Sequence, residues 1–217
     1  MIKENIEKVR LRIFDICAKH KIDSGKIILL CVTKGRSLEQ ILEVAGLGID
    51  YFGENRVQEA IEKYKLVPRV HWQMVGHLQS NKVRDALAIF DLIHSVDSFS
   101  LAQEIDRQAE KINKIQDILL EVKTSPELRK FGFKPEVLKE ACGQINKLEH
   151  VKIKGLMTIA PLVDYAPEAR PYFARLRQLR DKLNPAWLLS MGMSNDFEVA
   201  IEEGADIIRL GRAIFEG

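Results

Sequence analysis

Eight short apolar runs, each separated from the next by a stretch of helical character, set the strongest limit on what this chain can become. The runs fall at 27–33 (IILLCVT), 50–53 (DYFG), 70–75 (VHWQMV), 92–96 (LIHSV), 118–122 (ILLEV), 151–158 (VKIKGLMT), 187–191 (WLLSM) and 206–210 (DIIRL). Between them lie "SLEQILEVAGLG", "NRVQEAIEKYK", "SLAQEIDRQAEKIN", "PEVLKEACGQIN", "PEARPYFARLRQLRDKL" and "DFEVAIEEGA". Parallel strands need long crossover connections, so buried strands alternating with helices imply a parallel sheet. Eight repeats in about 190 residues predict an α/β fold, a single (β/α)8 TIM-type barrel, rather than an open doubly wound sheet. Residues 3–20 place Ile6, Val9, Leu11, Ile13, Phe14, Ile16 and Cys17 close to helical spacing, which adds an extra N-terminal helix. No linker or low-complexity tract interrupts the pattern, so residues 1–217 are read as one domain.

Composition narrows the possible partners. The chain is 46% hydrophobic and 29% charged, enough apolar material for a large core and too polar for a membrane protein. Its 33 basic and 31 acidic residues leave a formal charge of +2, without a basic stripe that would suit nucleic acid. The opening "MIKENIEKVRLRIFDICAKH" is charged every few residues, unlike a signal peptide or a membrane span, so a cytoplasmic protein is expected. Cys17, Cys31 and Cys142 are odd in number and far apart, which predicts reduced core residues. His71 and His77 lack a credible third ligand, and no metal is expected.

On a barrel of this kind, reactive groups stand at the C-terminal ends of strands and in the loops that follow. Lys34 takes that position in "LLCVTKGRS", directly after the first run. A rim lysine that merely snorkels into water is the simpler reading, unless other groups converge on it. Candidates come from the last two strands. "LLSMGMSNDFEVAIEEG" follows Ser190 with small or flexible residues, including Ser194, and starts a helix near Asn195 or Asp196. "IIRLGRA" ends with Arg209, Gly211 and Arg212. Loops after strands 7 and 8 are the usual phosphate pocket of this fold, where backbone N–H groups, a hydroxyl and a cation can meet an anion. Arg209 interrupts an apolar run, so it faces either the interior or the helix layer. It needs a partner there: a ligand acceptor, or a salt bridge to a residue such as Glu121.

A lysine across a barrel mouth from a phosphate cradle, with an arginine between, suits a phosphorylated aldehyde held as a Schiff base. At this point the chain also resembles a family. "VTKGRSLEQI", "YFGENRVQEA", "GHLQSNKVR", "HSVDS", "KGLMTIAP" and "LSMGMSNDFEVAIEEGADIIRLGRAIF" are similar, in order, to motifs of the pyridoxal-phosphate homeostasis proteins, whose fold is similar to the barrel domain of alanine racemase. The resemblance implies that Lys34 carries pyridoxal 5'-phosphate (PLP) as a Schiff base. It implies that Ser194, Gly211 and Arg212 surround the phosphate, that Arg209 faces the pyridine nitrogen, and that Asn55, Met157 and Ser190 line the pocket. The chain departs from the family pattern in lacking a proline soon after Lys34, in Gln73 where a histidine is frequent, and in Arg212 where threonine is frequent.

The expected function is intracellular PLP and vitamin B6 homeostasis without enzymatic turnover. An arginine facing the ring nitrogen favours its unprotonated form, a weak electron sink. The second domain that supplies a further base in alanine racemase is expected to be absent. Two alternatives stay open: a small amino-acid racemase or decarboxylase, with Tyr165, His77 or His94 as further acid/base candidates, and a Schiff-base phosphosugar aldolase. Expected partners are PLP and other B6 vitamers, with transient contact to apo-PLP enzymes, by a monomer that binds neither nucleic acid nor membrane.

Overall fold

The structure, a computed structural model, describes residues 1–126 and 131–217. Each apolar run becomes a strand: β1 (Ile28–Val32), β2 (Tyr51–Glu54), β3 (His71–Met74), β4 (Leu92–Val96), β5 (Gln116–Glu121), β6 (Val151–Met157), β7 (Leu188–Ser190) and β8 (Ile207–Leu210). They close into a barrel in sequence order, with every neighbouring pair parallel. Side chains alternate along each strand, and this sorts the apolar residues into two cores. Leu30, Val75, Leu92, Leu119, Met157 and Ile207 fill the barrel interior. Phe52, Trp72, Ile93, Leu120, Leu156 and Ile208 face outward, into the larger core beneath the helices.

The outer layer is α1 (Ile2–His20), α2 (Leu38–Gly46), α3 (Val57–Leu66), α4 (Val83–Leu87), α5 (Phe99–Glu110), α6 (Leu138–Ile145), α7 (Arg170–Leu183), α8 (Phe197–Glu202) and α9 (Arg212–Phe215). The N-terminal helix is present as expected, but it buries a narrower face. Ile2, Ile6, Val9, Ile13 and Cys17 recur every three or four residues and are buried, while Leu11 and Phe14 lie off that stripe and are each 59% exposed. The helix packs against α2, α8 and α9, and Asn5 Nδ2 donates to the Ile214 carbonyl at 3.0 Å. Because α9 has only four residues, α1 takes the place in the outer ring that a longer helix after β8 would fill. The sequence pattern did not single out α4 or α9, since one turn offers too few residues to show a period.

All three cysteines are buried and free. Burial pushes the Cys142 thiol up to about 11 and Cys31 higher still, which keeps both unreactive. Among the described residues no cluster of histidine, cysteine and carboxylates could hold a metal, and no helix is long and apolar enough to cross a membrane.

Candidate functional site

At the C-terminal ends of the strands the barrel opens into a cleft of about 480 Å³. Its lining brings together six of the residues singled out from sequence: Lys34, Asn55, Ser194, Arg209, Gly211 and Arg212. Met157 and Ser190 are different. Both are wholly buried one level below, and Ser190 meets the cleft only through its bond to Arg209. A larger depression of about 570 Å³ lies at the opposite end of the barrel, but Arg10 is its only basic side chain, and that guanidinium already donates to the Leu47 and Gly48 carbonyls. The chemistry is concentrated at the C-terminal mouth.

Lys34 occupies the second position of a turn closed by Arg36 N–H donating to the Thr33 carbonyl at 3.1 Å. Its side chain is exposed, not in the desolvated setting that a barrel mouth suggests. Opposite it, the loops after β7 and β8 are tied together: the Ala213 N–H donates to Ser194 Oγ at 3.1 Å, and Arg212 Nη2 donates to Asn195 Oδ1 at 3.3 Å. Ser194 keeps its own hydroxyl proton to give to a ligand. The helices that follow, α8 and α9, have six and four residues, so they add little dipole. The anion-binding capacity of this wall rests on the hydroxyl, the exposed Arg212 and the loop backbone.

Arg209 faces the interior and is 5% exposed. Among the described residues it bonds no carboxylate, Glu121 included: Nη1 donates to Ser190 Oγ at 2.7 Å and Nη2 to the Thr158 carbonyl at 2.8 Å. Behind Ser190 stands His94, fully buried, with Nδ1 2.9 Å from Ser190 Oγ and Nε2 2.7 Å from Gln73 Oε1. The amide oxygen can only accept, so the histidine proton sits on Nε2, Nδ1 accepts from Ser190, and Ser190 accepts from Arg209. Burial, and then the Arg209 charge, hold His94 well below the usual imidazole range, so it is neutral. Sequence reasoning raised His94 as an acid/base candidate. Both its nitrogens are engaged inside the barrel, and its connection to the cleft is indirect.

Burial also sets the charges around Arg209. It pulls the guanidinium down to about 10 against the opposing pull of Glu121 and Asp196, so Arg209 stays cationic near neutrality. Glu121, two residues beyond Leu119 on β5, is pushed up to about 7, first by burial and then by Asp97, with Arg209 and Lys123 acting in the opposite direction. For both groups desolvation outweighs the attraction between them. His77 is paired with Asp97 at 3.2 Å and stacked on Phe131, while Tyr165 is 65% exposed outside the cleft lining.

The donor set fits a phosphorylated pyridine aldehyde. Lys34 supplies an amine, Ser194 and Arg212 supply donors for a phosphate, and Arg209 lines the cleft with a guanidinium whose five N–H donors are only partly used by Ser190 and Thr158.

Residues 19–217 match the family described as alanine racemase, N-terminal domain. Alanine racemase of Clostridium difficile 630 superimposes with a TM-score of 0.77 at 19% identity, over 99% of this chain and 55% of that one, a likeness of fold alone. Barrel and site thus define a protein of the alanine-racemase barrel class. The pyridoxal phosphate homeostasis protein of Aquifex aeolicus (strain VF5) is 42% identical, over 98% of this chain and 96% of its own length. PipY of Synechococcus elongatus PCC7942, in its structure with PLP bound, is 37% identical with a TM-score of 0.86, over 99% of this chain and 100% of that one. The chain belongs to the pyridoxal phosphate homeostasis protein family.

Proposed function

We propose that this protein binds PLP in the C-terminal cleft and holds it as a Schiff base on Lys34, serving PLP homeostasis without turnover. The observation that carries the reading is the convergence of one amine, one buried guanidinium and a hydroxyl-and-cation wall on a single cleft. PipY, 37% identical over nearly the whole chain, binds PLP, and the curated relatives are named for PLP homeostasis. When bound, PLP supplies an aldehyde for a lysine amine and a ring that can withdraw electrons.

The chain's own residues divide the work of holding it. Lys34 would be the residue that holds the cofactor, its Nζ supplying the amine that can condense with an aldehyde with loss of water. Ser194 and Arg212 donate to the phosphate, and the Asn55 side chain stands on the wall beside Lys34. Arg209 would face the ring nitrogen as a donor that keeps its own proton, which would leave the electron-withdrawing power of the ring low and turnover unpromoted. The two histidines raised as acid/base candidates are engaged elsewhere, His94 with Ser190 and Gln73, and His77 with Asp97. An exposed Lys34 suits a cofactor that is taken up and given back.

The test is reconstitution with PLP, an absorption spectrum, borohydride reduction and peptide mass mapping. A long-wavelength band and one reduced pyridoxyl adduct on Lys34 are expected. Adducts scattered over surface lysines, or none, would overturn the assignment. Delivery is checked separately, by transfer from the loaded protein to an apo-PLP enzyme; a rate no faster than with free PLP removes that part.

A further inference from the structure

The wall that carries Lys34 is held by an ion pair, one partner buried and the other partly so, that the cofactor-binding reading does not use. Glu54 closes β2 and is fully buried. Its Oε1 accepts from the Thr33 hydroxyl at 2.6 Å and from the Lys63 ammonium on α3, and its Oε2 accepts from the Asn55 backbone N–H at 3.1 Å. One carboxylate therefore reaches both rim loops, the one bearing Lys34 and the one bearing Asn55. Lys63 Nζ also donates to the Thr33 carbonyl at 2.7 Å and lies 3.7 Å from Glu59 Oε2. Glu59 in turn accepts from the Gly35 N–H at 3.2 Å. The backbone is thus gripped on both sides of Lys34: at Thr33 by Glu54 and Lys63, and at Gly35 by Glu59. Gly35 completes the turn with φ 66°, in the left-handed region where a side chain is strained.

A buried carboxylate with a partly buried ammonium is costly to desolvate, and apolar residues of similar volume often serve stability as well. Their place, with bonds that reach Thr33, the Asn55 backbone and, through Glu59, Gly35, points to a geometric task. We propose that Glu54 and Lys63 are positioning residues that fix the Lys34 turn, so that its amine meets the PLP aldehyde at a set distance and angle while Lys63, committed to two carboxylates and a carbonyl, takes no part in capture. The proposal rests on the Lys34 reading above and adds to it which neighbouring charges make that lysine selective.

The experiment follows wild type, Glu54→Gln and Thr33→Val, each mixed with PLP, by stopped-flow absorbance across a pH series. Borohydride trapping and peptide mapping complete it. Circular dichroism and the denaturant midpoint identify any variant that does not fold. Glu54→Gln keeps the shape and an acceptor oxygen but loses the charge that holds Lys63. Adduct formation is expected to slow by about tenfold, with a displaced pH midpoint and a fraction of label reaching Lys63. Thr33→Val removes one hydroxyl and leaves the ion pair intact; it is expected to fold and to slow formation by about threefold. If Glu54→Gln does not fold, Thr33→Val decides. A folded variant with wild-type rate, pH midpoint and labelling overturns the positioning role and leaves the Lys34 reading standing. Wild type that is not labelled at Lys34 overturns the reading itself.

Discussion

The lower and upper halves of the barrel interior are made by the same strands and differ by one pleat. Leu92 is followed two residues later by His94, Leu119 by Glu121, Leu188 by Ser190 and Ile207 by Arg209. The lower residues touch one another and hold the barrel by excluding water. Of the upper residues, His94, Ser190 and Arg209 touch through directed bonds, while Arg209 and Glu121 are titratable groups whose behaviour is set by that water-poor floor. Stability and binding are therefore separable by position along a strand, and substitutions two residues apart should divide cleanly between them.

The largest effect belongs to the rim. Lys34→Ala should abolish the borohydride-trapped adduct while leaving the denaturation midpoint within about 0.5 kcal/mol of wild type, because the side chain is exposed. A large loss of stability would mean that Lys34 belongs to the scaffold after all. Leu119→Ala, in the lower layer, should do the reverse: about 3–4 kcal/mol lost in urea denaturation, with Lys34 still labelled. Failure to label the folded variant would show that the two layers are not independent.

Glu121 tests the boundary between them. Its folded pKa, about 7, lies above the ordinary value of 4.5, so the fold holds this proton more tightly than the unfolded chain does. The group costs nothing below about pH 4.5, its cost grows as the pH rises, and it is complete above about pH 7. Glu121→Gln should accordingly be more stable than wild type by on the order of 3 kcal/mol at about pH 8, with the two converging in acid. A gap that does not vary with pH would assign the change to packing. Smallest is Arg212→Ala, where a cation on the exposed wall is lost: PLP affinity should fall by about threefold to tenfold, and less at high salt. A loss as large as that of Lys34→Ala would make Arg212 the main phosphate contact.

Much of this was legible in the sequence because it is local. All eight strands announce themselves as apolar runs, and β4 spans the same residues, 92–96, in both readings. The helix after β7 begins at Phe197 with Asp196 as its N-cap, as the Asn-Asp pair suggested. Lys34 and Arg209 stand out as charges beside or within an apolar run, and Ser194 as a hydroxyl in the loop of small residues after β7. The rest depends on pairings across the barrel that no local period records. Gln73 and His94 are 21 residues apart and Ser190 a further 96, so their chain exists only once the barrel closes. Glu54, directly after an apolar run, and Lys63, in a helical pattern, are ordinary charges until the barrel buries the first of them. Leu11 and Phe14 fit an apolar count on α1 but lie on its wet side, since the stripe available for packing is narrower than the pattern of apolar residues.

The chain from Arg209 through Ser190 and His94 to Gln73 has a direction. A guanidinium cannot accept and an amide oxygen cannot donate, so the two end bonds are one-way and the one link between them, Ser190 to His94, can point in only one sense. None of the four groups can reverse alone. The row behaves as a single switch with one setting, so removing any one member releases the orientation of the others. Two substitutions within it should then cost little more than one, an interaction term that a double-mutant cycle reads directly.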